Sequence, residues 1–460
     1  MRATRGWAIG VISVLAAGAL LLFYRGDGAR AGGVQQAVLA NGVTVVLCPV
    51  AGADQVAIEV FHPAGFLHEP AGFTQATHLI EHLVCRGATA GYGPGETMRL
   101  LTERGMANAE TMADATHYDY VLPAANLELA ARIIGERLAG VTITAPAITQ
   151  EAANCYGEAD TVERNPAAGM IKHAFMALNQ AWRGQPGPVQ VRGGLTQIPI
   201  ADLGRFYQAA YRPQQAVVVV VGGFEPKQAR ALLDKYVGRV PRSTAPAVTT
   251  PDWARQPKQQ AVPWDTGVTA VCLAFPPPPE RADRLLLAAW GALLMQRLST
   301  DAELQGVAHA VFTTNPGWTP GALPIFAYAT ARPGVTAGQL QAALAAKVQR
   351  AAVAPVSQAE LGQLRMVLAQ LLQAPPTDLA AIRQQAEMLA PQIGQTPKQA
   401  TGFVLGNLAI QLGLCAMELG PDPAPVRRAL GSVTAEQLQR LLATTLDPAR
   451  CRVTILQPTR

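Results

Sequence analysis

The chain carries two kinds of hydrophobic pattern, and they predict different elements. Residues 217–221 are five consecutive valines ending at Gly222-Gly223. A short unbroken apolar run closed by glycines predicts a strand buried on both faces. Residues 56–61 give a second strand. Residues 37–50 read as strand, turn, strand about Asn41-Gly42,. Residues 109–111 and 116–122 form a shorter and more polar strand pair. Helical spacing predicts helices over 74–85, 95–104, 125–139 and 146–160, the last with Pro146 in its first turn,. A second block opens with a strand over 268–275, breaks at the prolines of 276–279, and continues as a helix over 281–298.

Between the blocks, the stretch 241–264 is rich in Pro, Thr, Ala and Gln and has no period, so it is read as a linker,. Residues 196–221 align with the C-terminal segment at one offset of 235. Leu203 falls on Leu438, Pro213 on Pro448 and Val218 on Val453. The expected fold class is α+β, with two homologous halves, each a mostly antiparallel sheet with helices packed on it. The expected boundaries are a targeting segment at 1–33, a first domain at 34–242, a linker at 243–264 and a second domain at 265–460.

Composition changes this picture little. The 49% hydrophobic and 15% charged residues fit a globular chain,. A net charge of +5 without a dense basic run, and only 6% aromatics, leave no footprint for nucleic acid,. Arg2 and Arg5 precede an apolar run over 7–24, followed by Arg25 and by Ala29-Arg30-Ala31, a possible cleavage site. A cleaved signal and an uncleaved membrane anchor both fit this segment, and both place the body of the chain outside the cytoplasm. The six cysteines have no C-x-x-C pairing and suggest no cysteine-based zinc site,.

The chemistry lies in residues 77–83, Thr-His-Leu-Ile-Glu-His-Leu. On a helix, His78, Glu81 and His82 project from one face. Two imidazoles at that spacing hold one Zn²⁺, and the carboxylate beside them is free to take a proton from water. Chance expects roughly 0.004 matches to H-x-x-E-H in a chain of this composition. The flanking Leu79, Ile80, Leu83 and Val84 predict a half-buried helix, whose polar groups then need partners,. Two histidines leave the site one ligand short. On the helix after Pro146, Glu151 and Glu158 are seven apart and share a face, so either could complete a His₂Glu set while the other orients a ligand,.

These motifs resemble the insulinase/pitrilysin family of inverted-motif zinc metallopeptidases, most closely its half-length branch, which includes the mitochondrial processing peptidases. That family pairs H-x-x-E-H with a glutamate about 76 residues after the second histidine and another seven before it. Here those positions are Glu158 and Glu151. The resemblance implies one Zn²⁺ per chain, with Glu158 as the third ligand, Glu151 as a supporting carboxylate and Glu81 as the catalytic base. The segment 105–123 resembles the family's N-A-x-T and D-x-T-x-Y strand, which pairs with extended substrate. Its residues here are Asn108 and Ala109. An exposed strand edge binds extended peptide through main-chain groups with little sequence demand.

One part departs from the family. Its second half carries L-R-E-x-x-G-L-A-Y, whose Arg and Tyr are thought to touch substrate. The matching residues 301–309 hold Ala302 and His309 instead. The resemblance therefore implies a metal-bearing subunit of a two-chain or dimeric peptidase. A homologous partner, or a second copy of this chain, would supply the missing donors. The alternative is a peptide-binding or assembly subunit that keeps zinc with little turnover.

Overall fold

The computed structural model describes residues 33–163, 194–249, 257–264, 267–314, 325–372, 378–419 and 424–458. The targeting segment lies outside them, apart from Gly33. In chain order the first half gives β1 (Gln35–Val38), β2 (Thr44–Pro49), β3 (Gln55–His62), α1 (Ala76–Arg86), α2 (Glu96–Thr102), β4 (Met106–Thr111), β5 (Thr116–Pro123), α3 (Leu127–Ala139), α4 (Ala145–Glu163), α5 (Ile200–Ala210), β6 (Val217–Gly222) and α6 (Pro226–Tyr236). The rest gives β7 (Gln259–Trp264), β8 (Ala270–Phe275), α7 (Arg281–Ser299), α8 (Ala302–Val307), β9 (Ala308–Thr314), β10 (Ile325–Ala331), α9 (Ala337–Val353), α10 (Gln358–Leu372), α11 (Leu379–Ile393), α12 (Pro397–Leu419), α13 (Ala424–Gly431), α14 (Ala435–Thr445) and β11 (Arg452–Pro458).

The strands form two sheets, in the orders β1-β2-β6-β3-β5-β4 and β7-β11-β8-β10-β9. β2 runs parallel to β6, and β7 runs parallel to β11. The other neighbours are antiparallel. Without β1, the two sheets have the same order and the same directions. The α5–β6 and α14–β11 units that close them are the segments aligned in the sequence at offset 235. The fold is thus α+β with a duplicated topology, as the sequence predicts.

β6, the valine run, is buried along its whole length between β2 and β3. Asn41 is buried because its side-chain amide donates to the Val237 and Val240 carbonyls, which fixes the turn after β1 against the end of α6. The stretch read as linker differs from expectation: its last six residues form β7. Its low hydropathy hides a strand because β7 is an edge strand. Pro263 is tolerated at such a position because no partner needs its missing N–H.

The two faces of the first sheet are covered differently. On one, Ile58, Val60, Tyr118 and Tyr120 pack with Leu79, Ile80 and Leu83 of α1 and Ile133 of α3. On the other, Ala57, Phe61, Val219 and Val221 pack with Ile382 and Leu389 of α11 and Val404, Leu405 and Leu408 of α12. Helices from the second half therefore roof the first half's sheet. Among the described residues α12 has the length and apolarity of a membrane span, but it is mostly buried, and its packing on β3 and β6 accounts for its composition.

Candidate metal centre

α1 is eleven residues long, and ten of them are buried, including Thr77, His78, Glu81 and His82. Burying that many polar groups is costly unless each is paired. The pairing starts at the helix N-terminus. Gln75 there has a left-handed backbone, φ 67°, unusual for a residue with a side chain,. The Glu69 carboxylate accepts from Gln75 N–H at 2.9 Å, Thr77 N–H at 3.0 Å and the Thr77 hydroxyl. A carboxylate at that position satisfies orphan donors and complements the helix dipole. It fixes where α1 begins, and so where its histidines point.

His78 and His82 lie one turn apart, their ring centroids 4.8 Å apart. Glu158 of α4 brings Oε2 to 3.1 Å from His78 Nε2 and 3.3 Å from His82 Nε2. Bonds of 2.0–2.1 Å to a tetrahedral zinc place neighbouring donors about 3.3–3.4 Å apart, so the Glu158 oxygen stands near coordination spacing from each of the two ring nitrogens. Glu151 Oε2 sits 3.0 Å from His82 Nδ1, accepts from Asn154 Nδ2 at 2.9 Å and lies 3.7 Å from Arg86 Nε. A carboxylate on the far nitrogen of a histidine sets its tautomer and orientation. The Cys155 thiol, fully buried on the same helix, groups with the two ring nitrogens within 4.8 Å. It is a rival third donor, but the Glu158 oxygen is the one within 3.3 Å of both rings.

The electrostatics suit a cation. Burial pushes the Glu158 carboxyl up, but hydrogen bonds and charge from His78 and His82 outweigh it and hold it down at about 2. Burial lowers His82, but Glu151 and Glu158 outweigh it and lift the imidazole to about 9. The same carboxylates that favour a proton there favour a metal ion. Glu81 behaves in the opposite way: burial raises its carboxyl, and His78 and His82 only partly oppose this. A carboxyl whose proton affinity is raised above the ordinary carboxylate range is suited to taking and returning a proton.

The remaining predicted residues lie at two strand edges. β4 is the outer strand of the first sheet and pairs, among the described residues, with β5 alone. Side chains alternate along it. Ala109 packs against the core that contains α1, and Thr111 on the same face donates to Glu81 Oε2 at 2.6 Å. Asn108 lies on the opposite face, where its amide donates to Asp119 Oδ2 at 3.4 Å. The Asn108 side chain thus does not share the face that holds Glu81. His309 lies on β9, the outer strand of the second sheet, exposed and without a hydrogen bond or ion pair among the described residues. Ala302 opens α8, capped by Asp301. Among the described residues no hydrogen bond or ion pair joins either to His78 or His82. Sequence reading passed over Glu69 and Thr111 as site residues. The signal for Thr111 was its period-2 spacing from Ala109; Glu69 had none.

Residues 197–368 match the family model described as peptidase M16 inactive domain. That span begins after His78, Glu81, His82 and Glu158. The chain is 25% identical over 349 residues to the zinc protease PqqE of Helicobacter pylori, covering 72% of this chain and 78% of that protein. A protease from Helicobacter pylori has the same fold, with a TM-score of 0.65 and 19% identity over 92% of this chain and 99% of that one. The periplasmic protease PqqL of Escherichia coli matches with a TM-score of 0.58 and 16% identity, covering 94% of this chain and 48% of that chain.

Proposed function

We propose, from the premise that the chain belongs to the peptidase M16 family of insulinase/pitrilysin type, that it is a zinc-dependent endopeptidase acting on extended peptides or unfolded proteins outside the cytoplasm. The observation that carries this reading is the Glu158 oxygen near coordination spacing from both His78 and His82, with Glu81 one turn from His78. In this reading those three hold one Zn²⁺ per chain, which when bound acidifies water and polarises a peptide carbonyl. Glu81 takes the proton from the attacking water and returns it to the leaving amine. Thr111 holds the Glu81 carboxylate through Oε2. Glu151 fixes His82 from behind. Substrate adds to the free edge of β4 through main-chain groups beside Asn108 and Ala109.

The description of PqqL as periplasmic supports the extracytoplasmic assignment, with residues 1–33 as signal or anchor. We divide the body of the chain at 243–264 into a metal-bearing and a second peptidase-like domain, with α11 and α12 crossing to the first. One observation favours a second reading, in which a homologous partner or a second copy of the chain completes the site. Among the described residues the His309 side chain makes no hydrogen bond or ion pair and Ala302 has no side-chain donor, and a positioned donor on the developing oxyanion is worth ~3 kcal/mol. Without such a partner the chain would serve as a zinc-bearing peptide-binding subunit. The test is zinc content together with a chelator-sensitive peptidase assay on the purified chain, alone and with a homologous subunit. Full activity alone removes the need for a partner, and a zinc-loaded chain inert in every combination sinks the enzyme reading. Glu158→Gln and Cys155→Ser separate the rival third donors: only the true ligand's loss releases zinc.

A further inference from the structure

The far face of the first sheet carries a second group of metal-type donors that the peptidase reading leaves unused. Three adjacent strands place it. On β3, Glu59 lies opposite Asp119 of β5, which lies opposite Asn108 of β4. One step along, Phe61, His117 and Glu110 form the next cross-strand row. All six are on the face roofed by α12. Gly413 of that helix sits so close that a Cβ there would collide with the Phe61 ring. Phe61 in turn stacks on the His117 imidazole at 5.1 Å.

Glu59 is 0% exposed and His117 3%. One oxygen of Glu59, one of Asp119 and a ring nitrogen of His117 all lie within 4.8 Å of one another. Glu59 Oε2 stands 3.3 Å from His117 Nδ1, the same spacing as His82 Nε2 to Glu158. Asp119 Oδ1 is 2.7 Å from that nitrogen, an ion pair that lies off the hydrogen-bond direction. Glu59 Oε1 is buried without a hydrogen-bond partner among the described residues. Behind the imidazole, Glu110 Oε2 lies 3.6 Å from Nε2, as Glu151 lies behind His82. Asn108 steadies the other Asp119 oxygen.

Charge counting points the same way. Three carboxylates surround one imidazole, and among the described ion pairs no lysine or arginine joins Glu59, Glu110 or Asp119. Even with His117 protonated the group carries excess negative charge, part of it under an apolar roof. A divalent cation neutralises it and gives each converging oxygen a partner.

We infer that Glu59, His117 and Asp119 form a second divalent-cation site, structural in role, with Glu110 orienting His117. One imidazole and two carboxylates suit a borderline ion, zinc before magnesium or calcium. The site ties the β4–β5 edge to β3 beneath α12, behind the strand on which substrate is proposed to lie.

The test is metal content after equilibration in chelator-buffered zinc. The wild-type chain is expected to hold two ions, His78→Ala one, His117→Ala one and the double variant none. His78→Ala decides the matter because it leaves every residue of the second site intact. Its melting temperature should rise with added zinc and that of the double variant should not. Asp119→Asn repeats the loss with the imidazole in place, in case His117→Ala does not fold. A wild type that takes one ion, with none in His78→Ala, overturns the second site and leaves the peptidase centre standing. One ion in His78→Ala and none in His117→Ala does the reverse.

Discussion

α1 and α7 occupy equivalent places, each following the strand that lies antiparallel beside the last strand of its sheet. They are built for different purposes. α1 buries His78, Glu81 and His82 in eleven residues. α7 has nineteen residues and buries Leu285, Leu286, Trp290, Leu293 and Leu294 on the second sheet. Apolar burial of this kind needs no special partner and stabilises by roughly 1.5–3 kcal/mol per large side chain. Polar burial holds only where other elements have been arranged to receive it, as Glu69, Thr111, Glu151 and Glu158 receive α1. Duplicated topology thus carries packing in both halves and metal-type chemistry on only one of the two helices.

The largest expected effect tests the chemistry on α1. Glu81→Gln should retain zinc and the fold yet lose ~10⁴-fold in turnover, measured by a peptide assay alongside metal analysis. Near-normal turnover would remove Glu81 as the base. The matching change on α7, Trp290→Ala, should cost ~4 kcal/mol of stability in denaturant unfolding while leaving the α1 metal affinity unchanged. Altered zinc binding in that variant would break the contrast. A smaller effect is expected from Glu151→Ala, which should weaken zinc binding about 10- to 100-fold without removing a ligand. An unchanged affinity would reduce Glu151 to a packing residue.

The smallest effect is a pH dependence where the halves meet. Burial pushes the Glu418 carboxyl of α12 up from 4.5 to about 7, against the pull of Arg284 and Arg281 and with a further push from Asp114. A carboxyl with a raised folded pKa binds more protons folded than unfolded between those values. Its stabilising contribution is therefore present below pH 4.5 and is lost as pH rises toward 7, at no more than about 1.4 kcal/mol per pH unit. Glu418→Gln should flatten thermal stability across that window. An unaltered profile would show that Arg284, 3.4 Å from Glu418, already neutralises the charge.

The sequence made legible whatever is local or periodic. The spacing of His78, Glu81 and His82 follows from one turn of helix, and the valines of β6 announce a strand buried on both sides. Glu158 became legible through family spacing; on periodicity alone, Glu151 and Glu158 were interchangeable. What stayed hidden depends on partners distant in the chain. β7 looks like linker because its pairing comes from β11, almost two hundred residues later. Glu69 looks like any surface acid until the first turn of α1 is brought to it. Nothing in the pattern of α11 and α12 says that they cover a sheet made by residues 35–222.

That roof has a consequence for the order of synthesis. The face of β2, β3 and β6 with Val46, Ala57, Val219 and Val221 is closed by side chains as late as Met417. A chain emerging from its N-terminus has the whole first sheet in hand while that face is still open to water. For the time needed to make about two hundred further residues it is a sticky nascent surface, which a holdase would be expected to shield and a truncation near residue 243 would leave bare.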